Sequence, residues 1–313
     1  MKGEFDFIAG IRSLFPAPSG ITGIGDDCAV IPQKNGRDTL VSTDMLVEGS
    51  HFLLDDIPPY RLGWKSAASN FSDIAAMGGF PVGSFLALAL PRNLPDGWTD
   101  DFLDGYRAIS EEYGFPLLGG DTTASQDRLC ICVTVLGESP SGKSIKRSGA
   151  RPGDLICVTG TLGDSAAGLR AILDGIRNDP DSDFLIERHY LPEPRLDEGI
   201  RLAACGGVSA MMDISDGVAS DIRHIMEESG TGAEINPARL PLSDRMEGFC
   251  HRFGYDPIRL AACGGEDYEL LFTVKPGAEA SVNVPHTIIG RITDGNTLVW
   301  TGTDSDFNGF RHF

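Results

Sequence analysis

Strand-like and helix-like segments alternate along both halves of this chain, and the alternation predicts an α+β or α/β architecture in each half. The strand-like segments are rich in Val, Ile and Leu, whereas the helical ones carry apolar residues at helical spacing and end in glycine. In the first half the predicted strands are 38–52, 81–91, 115–123 and 128–138, with helices at 58–79 and 96–114. In the second half the predicted strands are 154–161, 211–217, 265–274 and 286–293, with helices at 162–175 and 218–230.

A change in composition divides the chain near its middle. The 313 residues are enough for two domains, each with its own core. Around 147–155 the sequence RSGARPGDL is rich in glycine, proline and charge, as is typical of a connection between units. We therefore predict an N-terminal domain at 1–148 and a C-terminal domain at 149–313.

The overall charge restricts the ligands that the chain can bind. A formal net charge of -19 excludes a basic nucleic-acid-binding surface. It also means that a phosphorylated ligand would be repelled unless cations intervene between the ligand and the protein. The positions of the aspartates therefore matter more than their number.

The apolar runs, the first residues and the cysteines indicate where the chain is located and whether its cysteines form disulfides or bind zinc. No apolar run reaches the roughly 18 to 20 residues of a membrane span, and the first ten residues lack the layout of a signal peptide. We therefore expect a cytoplasmic location. The seven cysteines, an odd number without a C-x-x-C pair, argue against a disulfide framework and against a zinc site.

The stretch GESPSGKS at 137–144 matches the phosphate-binding pattern G-x-x-x-x-G-K-[ST], but its surroundings do not. Such a loop leads from a strand directly into a helix, whose N-terminus faces the phosphates. A strand precedes the stretch, but Gly149, Pro152 and Gly153 would stop a following helix within two turns. We therefore interpret 137–144 as a polar turn.

Aspartates recur beside glycine, serine or threonine in five short segments. Each has an ordinary interpretation as a turn or a helix cap, but five in one chain favour a shared site. Gathered carboxylates repel one another by roughly 4 kcal/mol per pair, so a hard divalent cation must offset the repulsion. Oxygen ligands favour magnesium over zinc or copper. The segments are GIGDDCAV, VSTDMLVEGSHF, NFSDIAAMGG, LLGGDTT and MMDISDG, with Asp26, Asp27, Asp44, Asp73, Asp121, Asp213 and Asp216.

The predicted helix around Asp73 has one apolar face, and Asp73 and Asn70 lie opposite that face. Ala75, Ala76, Gly78 and Gly79, just after Asp73, are small, which predicts the close approach of another backbone rather than open solvent. The apolar face is formed by Trp64, Ala67, Ala68, Phe71, Ile74 and Ala75.

Seven segments, in their order and spacing, resemble the thiamine-monophosphate kinase family of the AIR synthase-like superfamily. They are GIGDDCAV, VSTDMLVEGSHF, NFSDIAAMGG, PLLGGDTT, KRSGARPGDLICVTGTLGDSAAGL, MMDISDG and GGEDYELLF. The resemblance implies a two-domain AIR synthase-like fold, with an N-terminal α/β half whose strands pair across a homodimer and a C-terminal α/β half. It also implies transfer of the γ-phosphoryl group of ATP, with several Mg²⁺ ions, to thiamine monophosphate.

The resemblance assigns roles to individual positions of this sequence. Catalytic roles fall on Asp44, Asp73, Asp121 and Arg147, and ATP contacts on Gly120, Asp121, Arg147 and Ser215. The thiamine phosphate would be contacted by His51, Glu266 and Phe310. The implied metal ligands are Asp27, Ser42, Thr43, Asp44, Asp73, Asp121, Asp213 and Asp216.

The implied reaction agrees with the composition. Phosphoryl transfer depends mainly on positioning and charge neutralisation, and a phosphate acceptor that is ionised at neutral pH needs no general base. Arg147 is placed to clamp the polyphosphate, while Glu266 and Phe310 suit a cationic thiazolium ring.

Two alternatives remain open from the sequence alone. The chain could be another ATP-using AIR synthase-like enzyme that acts on an amide or related acceptor, or a nucleotide-binding protein that has lost catalysis. Members that need a catalytic cysteine near the N-terminus are disfavoured, because Cys28 begins an apolar strand and is expected to be packed.

Overall fold

The computed structural model describes residues 3–303, 305–307 and 309. The first half of the chain forms a five-stranded sheet with the strand order β1-β2-β5-β3-β4, in which only β3 and β4 pair in parallel. Its elements are α1 (Glu4–Leu14), β1 (Ala29–Pro32), β2 (Arg37–Val47), α2 (Pro59–Ala76), β3 (Phe80–Pro91), α3 (Trp98–Tyr113), β4 (Leu117–Ser125) and β5 (Cys130–Pro140).

The second half forms a six-stranded sheet with the order β11-β8-β10-β6-β9-β7, and helices pack against it. Only β11 and β8 pair in parallel in this sheet. Its strands are β6 (Leu155–Val158), β7 (Val208–Asp213), β8 (Gly232–Ile235), β9 (Leu270–Val274), β10 (Thr287–Thr293) and β11 (Leu298–Trp300). Its α-helices are α4 (Asp164–Leu173), α5 (Pro180–Tyr190), α6 (Leu196–Cys205), α7 (Val218–Ser229), α8 (Asp244–Phe253) and α9 (Pro257–Cys263).

The strands and helices that the sequence predicts are confirmed as elements, but several are shorter than expected. The predicted strand at 38–52 ends at Val47, because the chain turns through Gly49 at a φ of 80°. The predicted strand at 265–274 begins only at Leu270, since Glu266 and Tyr268 adopt positive φ angles of 63° and 52°. The helices α1, α5, α6, α8 and α9 are not predicted by the patterns.

Helix α2 lies at the centre of the molecule. It packs against β2 and β5 of its own sheet and against α6 and β7 of the second half, and 13 of its 18 residues are buried. The expectation of one apolar face is therefore incomplete, since Asn70 is fully buried and its Oδ1 accepts a hydrogen bond from Asp44 N at 3.1 Å. Buried polar side chains of α2 are thus available for hydrogen bonds inside the protein.

The small residues after Asp73 are explained by a close contact between helices, as expected. A Cβ on Gly199 of α6 would lie 2.1 Å from the carbonyl oxygen of Ala75. A Cβ on Gly78 would lie 2.4 Å from the Cβ of Ala203. The end of α2 is therefore pressed against the second half of the chain, which brings Asp73 close to β7.

The strand β4 forms an open edge of the first sheet. Eight of its nine residues are exposed, including Leu117 and Leu118, which are 45% and 53% exposed. Such an edge presents unpaired backbone groups and apolar side chains together. Among the described residues, no helix combines the length and apolar character that crossing a bilayer requires.

Candidate active site

Three aspartates from separate segments converge where α2 meets the second sheet. Asp27 lies just before β1, Asp73 lies in the last turn of α2, and Asp213 is the last residue of β7. One carboxylate oxygen from each lies within 4.8 Å of those from the other two. We call these three residues the acidic cluster. The fold thus brings together aspartates that are far apart in the sequence, as the recurring motifs predict.

Serine hydroxyls orient two carboxylates of the acidic cluster. Ser42 Oγ, on β2, donates to Asp73 Oδ2 at 2.5 Å, and Ser72 Oγ, on α2, donates to Asp213 Oδ2 at 2.6 Å. The Ser72 contact joins the two halves of the chain directly. Sequence reasoning missed Ser72, although its position beside Asp73 in the NFSDIAAMGG segment would have been the signal.

Arg147 holds the third carboxylate. Its Nε and Nη2 donate to Asp27 Oδ1 at 3.2 and 2.7 Å, and its backbone N donates to Asp26 Oδ1 at 2.7 Å. Burial alone would lower the pKa of the guanidinium, but the surrounding aspartates raise it above its usual value. Arg147 therefore remains a cation at the border of the acidic cluster, with a side chain that is 20% exposed.

Burial and mutual repulsion disfavour the ionised forms of the carboxylates in the acidic cluster. Burial, followed by the charge of Asp27, raises the pKa of Asp213 to about 7. Burial and the charges of Asp44 and Asp213 raise the pKa of Asp73 well above its usual value. Asp27 Oδ2 is buried and has no hydrogen-bond partner within the described part of the chain. This oxygen-only donor set, with one buried oxygen unpaired, fits a hard divalent cation such as Mg²⁺.

Asp44 and Thr43 are neighbours on β2 whose side chains make different contacts. The protein around Asp44, and then the charge of Asp27, raise the pKa of Asp44 to about 6, although its side chain is exposed. Thr43 Oγ1 lies 2.9 Å from Thr134 Oγ1 and donates to the carbonyl oxygen of Val133 at 3.1 Å, both on β5. Because successive side chains of a strand lie on opposite faces of the sheet, the Thr43 side chain lies on the face opposite those of Ser42 and Asp44.

A buried carboxylate shapes the loop after β7. Asp221 Oδ2, on α7, accepts hydrogen bonds from the backbone N of Ser215 at 3.1 Å and of Asp216 at 3.2 Å. These bonds place Ser215 and Asp216 beside Asp213. The patterns do not predict the role of Asp221, because an aspartate in the first turn of a helix is ordinary.

Two family models and several known proteins match this chain. The family model described as AIR synthase related protein, N-terminal domain, matches residues 25–139, and that of the C-terminal domain matches 151–301. The chain is 41% identical to a thiamine-monophosphate kinase of Salmonella typhimurium, over 93% of this chain and 92% of that protein. The chain belongs to the thiamine-monophosphate kinase family.

Other relatives agree with this assignment over nearly the whole length. A thiamine-monophosphate kinase of Aquifex aeolicus is 36% identical, over 99% of this chain and 98% of that protein. A solved structure named AaThiL complexed with AMPPCP and TMP superposes with a TM-score of 0.91. The two chains are 35% identical, and the superposition covers 99% of this chain and 97% of the solved chain. The two-domain AIR synthase-like fold expected from the sequence is therefore confirmed.

Two positions that the family resemblance assigns to ATP lie outside the acidic cluster in a single chain. Gly120 and Asp121 are on β4, and the sheet order separates β4 from β2 by three strand spacings. Asp121 therefore lies roughly 14 Å across the sheet from Asp44. Gly120 packs closely on β3, since a Cβ there would lie 1.8 Å from the carbonyl oxygen of Leu86.

The two described positions that the resemblance assigns to the thiamine phosphate are near enough to interact electrostatically. His51 Nδ1 accepts a hydrogen bond from Val47 N at 2.9 Å, and its ring helps to lower the pKa of Glu266. Burial would raise that pKa, but the charge of Lys65, with a smaller effect of His51, brings it below its ordinary value. Glu266 therefore carries a negative charge at neutral pH. Phe310, the third position, lies outside the described residues.

The stretch at 137–144 does not form a phosphate-binding loop. The strand β5 continues to Pro140, and no helix separates it from β6. Ser141 Oγ and Gly142 N each donate to the carboxylate of Asp38 at 2.8 Å, so groups that would face a phosphate already bind an anion of the chain. The rejection of a phosphate-binding loop is therefore confirmed, but the predicted turn is shorter than expected, because 137–140 belong to β5 and only 141–144 leave the strand.

Proposed function

We propose that this chain transfers the γ-phosphoryl group of ATP to the phosphate of thiamine monophosphate, giving thiamine diphosphate. The observation that carries the proposal is the convergence of Asp27, Asp73 and Asp213, with one buried oxygen unpaired. The family is known from full-length relatives, and the acidic cluster supplies the chemistry that such a reaction needs. ATP as the co-substrate is supported by the related structure that holds AMPPCP, an ATP analogue.

The proposed metal ligands are the acidic cluster together with Ser42, Thr43, Asp44, Asp121 and Asp216. Bound Mg²⁺ would neutralise the polyphosphate and the charge that develops during transfer. The chain itself orients the carboxylates through Ser42, Ser72 and Arg147, so that the donor oxygens already face one another. The face of Arg147 that stays exposed is positioned to donate to a phosphate oxygen.

The side-chain contacts of Thr43 restrict how this residue could bind the proposed metal ion. Because its hydroxyl already contacts Thr134 and Val133, we propose that Thr43 contributes through its backbone carbonyl oxygen or after a change of side-chain rotamer. Its role differs in this respect from that of Ser42, whose hydroxyl contacts the acidic cluster directly.

The acceptor needs no general base in this site. A phosphate monoester is ionised at neutral pH and is already a nucleophile. Glu266 and His51 are proposed to hold the thiamine portion, with the Glu266 carboxylate facing the cationic thiazolium ring. Free thiamine offers only a neutral hydroxyl, so we expect the chain to discriminate against it.

The test is a transfer assay with γ-labelled ATP and thiamine monophosphate, thiamine or water as the acceptor. We expect transfer to thiamine monophosphate alone, its loss in excess chelator and its return when Mg²⁺ is restored. Equal rates with thiamine and its monophosphate would contradict the proposed acceptor. Full turnover in chelator would contradict the role of the acidic cluster.

The alternative that relies on an N-terminal cysteine receives no support from the geometry. Cys28 is 1% exposed, its Sγ lies 3.5 Å from the carbonyl oxygen of Asp73, and burial raises the pKa of its thiol. Such a thiol is inaccessible and stays protonated, so it does not serve as a nucleophile.

We also propose that the chain is a homodimer that pairs along the first sheet, with domains at 1–148 and 149–313. The exposed apolar edge of β4 supports the dimer, because a second copy would cover Leu117 and Leu118. Gly120 and Asp121 lie on the same edge, so pairing would place them at a border between two copies. The domain boundary is supported by the connection between β5 and β6, which holds no helix or strand.

A further inference from the structure

A lysine is buried behind Glu266. Lys65 lies in α2, its side chain is 1% exposed, and its Nζ donates to Glu266 Oε2 at 3.0 Å. The Glu266 side chain is 27% exposed, so this ion pair is covered by protein at the lysine and open to solvent at the glutamate. Removing one partner of such a pair leaves an uncompensated buried charge. Lys65 and Glu266 therefore act as one unit, contributed by the two halves of the chain.

A neutral histidine fixes the position of the ammonium group. His189 Nε2 lies 3.1 Å from Lys65 Nζ, and because an ammonium only donates, Nε2 is the acceptor. The ring proton is thereby assigned to Nδ1, which lies 3.0 Å from Ser165 Oγ and 3.5 Å from Glu266 Oε2. Burial, and then the charge of Lys65, lower the pKa of His189 to about 3. Lys65 therefore provides the positive charge that faces Glu266.

The backbone around Glu266 is held in a strained conformation. Glu266 has a φ of 63°, in the left-handed region, and its N donates to the carbonyl oxygen of Ser215 at 2.8 Å. A Cβ on Gly265 would lie 2.2 Å from the same oxygen, so the two segments are in close contact. A residue with a side chain keeps this conformation only when its surroundings enforce it. Both the backbone and the side chain of Glu266 are thus constrained.

We propose that Lys65 is a positioning residue for substrate recognition, which keeps Glu266 ionised and oriented toward the thiazolium ring of thiamine monophosphate. The inference rests on the proposed function and deepens it. Glu266 supplies the negative charge that favours a cationic ring, and Lys65 fixes that charge from the side away from the ligand. Lys65 itself does not touch the substrate.

The first experiment compares three single variants with the unmodified chain. Lys65→Met keeps the unbranched side chain up to the ε position and removes its ammonium group, whereas Glu266→Gln replaces the carboxylate by a neutral amide. Arg61→Met is the matched control. It breaks the contact of Arg61 with Glu187, which joins α2 to α5, the helix that also carries His189. The measurements are the Kd of thiamine monophosphate by calorimetry and the KM of each substrate.

We expect Lys65→Met and Glu266→Gln each to raise the Kd and KM for thiamine monophosphate by about tenfold or more, the scale of one charge-assisted contact. The KM for ATP should stay within about twofold, and Arg61→Met should leave both KM values within that range. A loss of kcat with equal changes in both KM values would show a merely structural role and would overturn the inference.

The second experiment uses 3-deazathiamine monophosphate, in which the central ring is uncharged. The unmodified chain should bind thiamine monophosphate more tightly than this analogue, and Lys65→Met should lose most of that preference. A structural defect would weaken both ligands equally. A preference that persists in Lys65→Met would overturn the inference.

A double variant covers the case in which Lys65→Met does not fold. Lys65→Met/Glu266→Gln removes both charges, and its Kd for thiamine monophosphate should equal that of Glu266→Gln. A further loss of about tenfold in the double variant would show that Lys65 acts independently and would overturn the inference. If the unmodified chain binds thiamine monophosphate but transfers no phosphate, the proposed function fails while the Kd comparison still decides the role of Lys65. If the unmodified chain does not bind thiamine monophosphate, both proposals fail.

Discussion

Asp44 lies beside the acidic cluster, and it is the aspartate of the site for which a conservative substitution is most informative. Asp44→Asn keeps the shape of the side chain and removes one charge, so it should lower kcat by about a hundredfold, or about 3 kcal/mol of transition-state stabilisation. Because burial and the charge of Asp27 raise the pKa of Asp44, the fold disfavours its ionised form, so the free energy of unfolding should stay unchanged or increase. Steady-state kinetics and urea unfolding of the same preparation test both expectations. Unchanged turnover would remove Asp44 from the site.

Arg147 and Lys143 provide a comparison between two nearby cations. Arg147 contacts Asp27 at the border of the acidic cluster, whereas Lys143 is exposed in the polar turn. Arg147→Ala should cost about 1 to 3 kcal/mol in kcat/KM for ATP, and Lys143→Ala should change it by less than about twofold. An ATP titration of the two variants measures the difference. A severe defect in Lys143→Ala with normal Arg147→Ala would restore the phosphate-loop interpretation of 137–144.

At the scale of elements, the contact between α2 and α3 depends on glycines. A Cβ on Gly63 would lie 2.0 Å from the carbonyl oxygen of Phe102, and one on Gly105 would lie 1.8 Å from that of Tyr60. Both obstacles are backbone atoms, which cannot move as a flexible side chain would. The close packing of these helices therefore supports the position of α2 and, through it, of Asp73.

Gly63→Ala should lower the free energy of unfolding by about 2 kcal/mol or more, because the added methyl group forces the helices apart. Gly10→Ala in α1 is the matched control, since in the described part of the chain no atom outside the local backbone of α1 lies within 4 Å of the added Cβ. There the change should be neutral or stabilising by up to about 1 kcal/mol, as expected for a glycine in a helix interior. Urea unfolding measures both. Equal stability of the two variants would contradict the packing argument.

At the scale of the whole molecule, the proposed dimer predicts a site shared between two copies, because the edge of β4 is exposed and Asp121 lies far from Asp44 within one chain. If each site takes Asp44 from one copy and Asp121 from the other, two inactive variants should complement each other. Asp44→Asn and Asp121→Asn, refolded together in equal amounts, should regain about a quarter of the normal activity. Mixtures that stay as inactive as the separate variants, although mixed dimers form, would contradict a shared site.

The alternation of strands and helices, the absence of a phosphate-binding loop at 137–144 and the aspartates that can share a cation were all predictable from the sequence. These are local properties, because a period of hydrophobicity, a glycine that stops a helix, or an aspartate at the end of a strand is visible within about ten residues. Seven motifs in a fixed order were also enough to predict the family.

Which polar residues contact one another depends on how the elements pack in the folded chain. Ser72 and Asp213 are 141 positions apart, and Lys65 and Glu266 are 201 apart, so their pairing depends on how α2 packs against the second half. The sequence patterns predict α2 as a helix with one apolar face, yet five of its polar residues are buried as well, because the second half covers the other side. Burial in turn raises the pKa of Asp213 and makes Lys65 depend on Glu266. A pattern along one segment cannot predict such pairs, since the free energy of a buried polar group depends on partners that only the folded chain supplies.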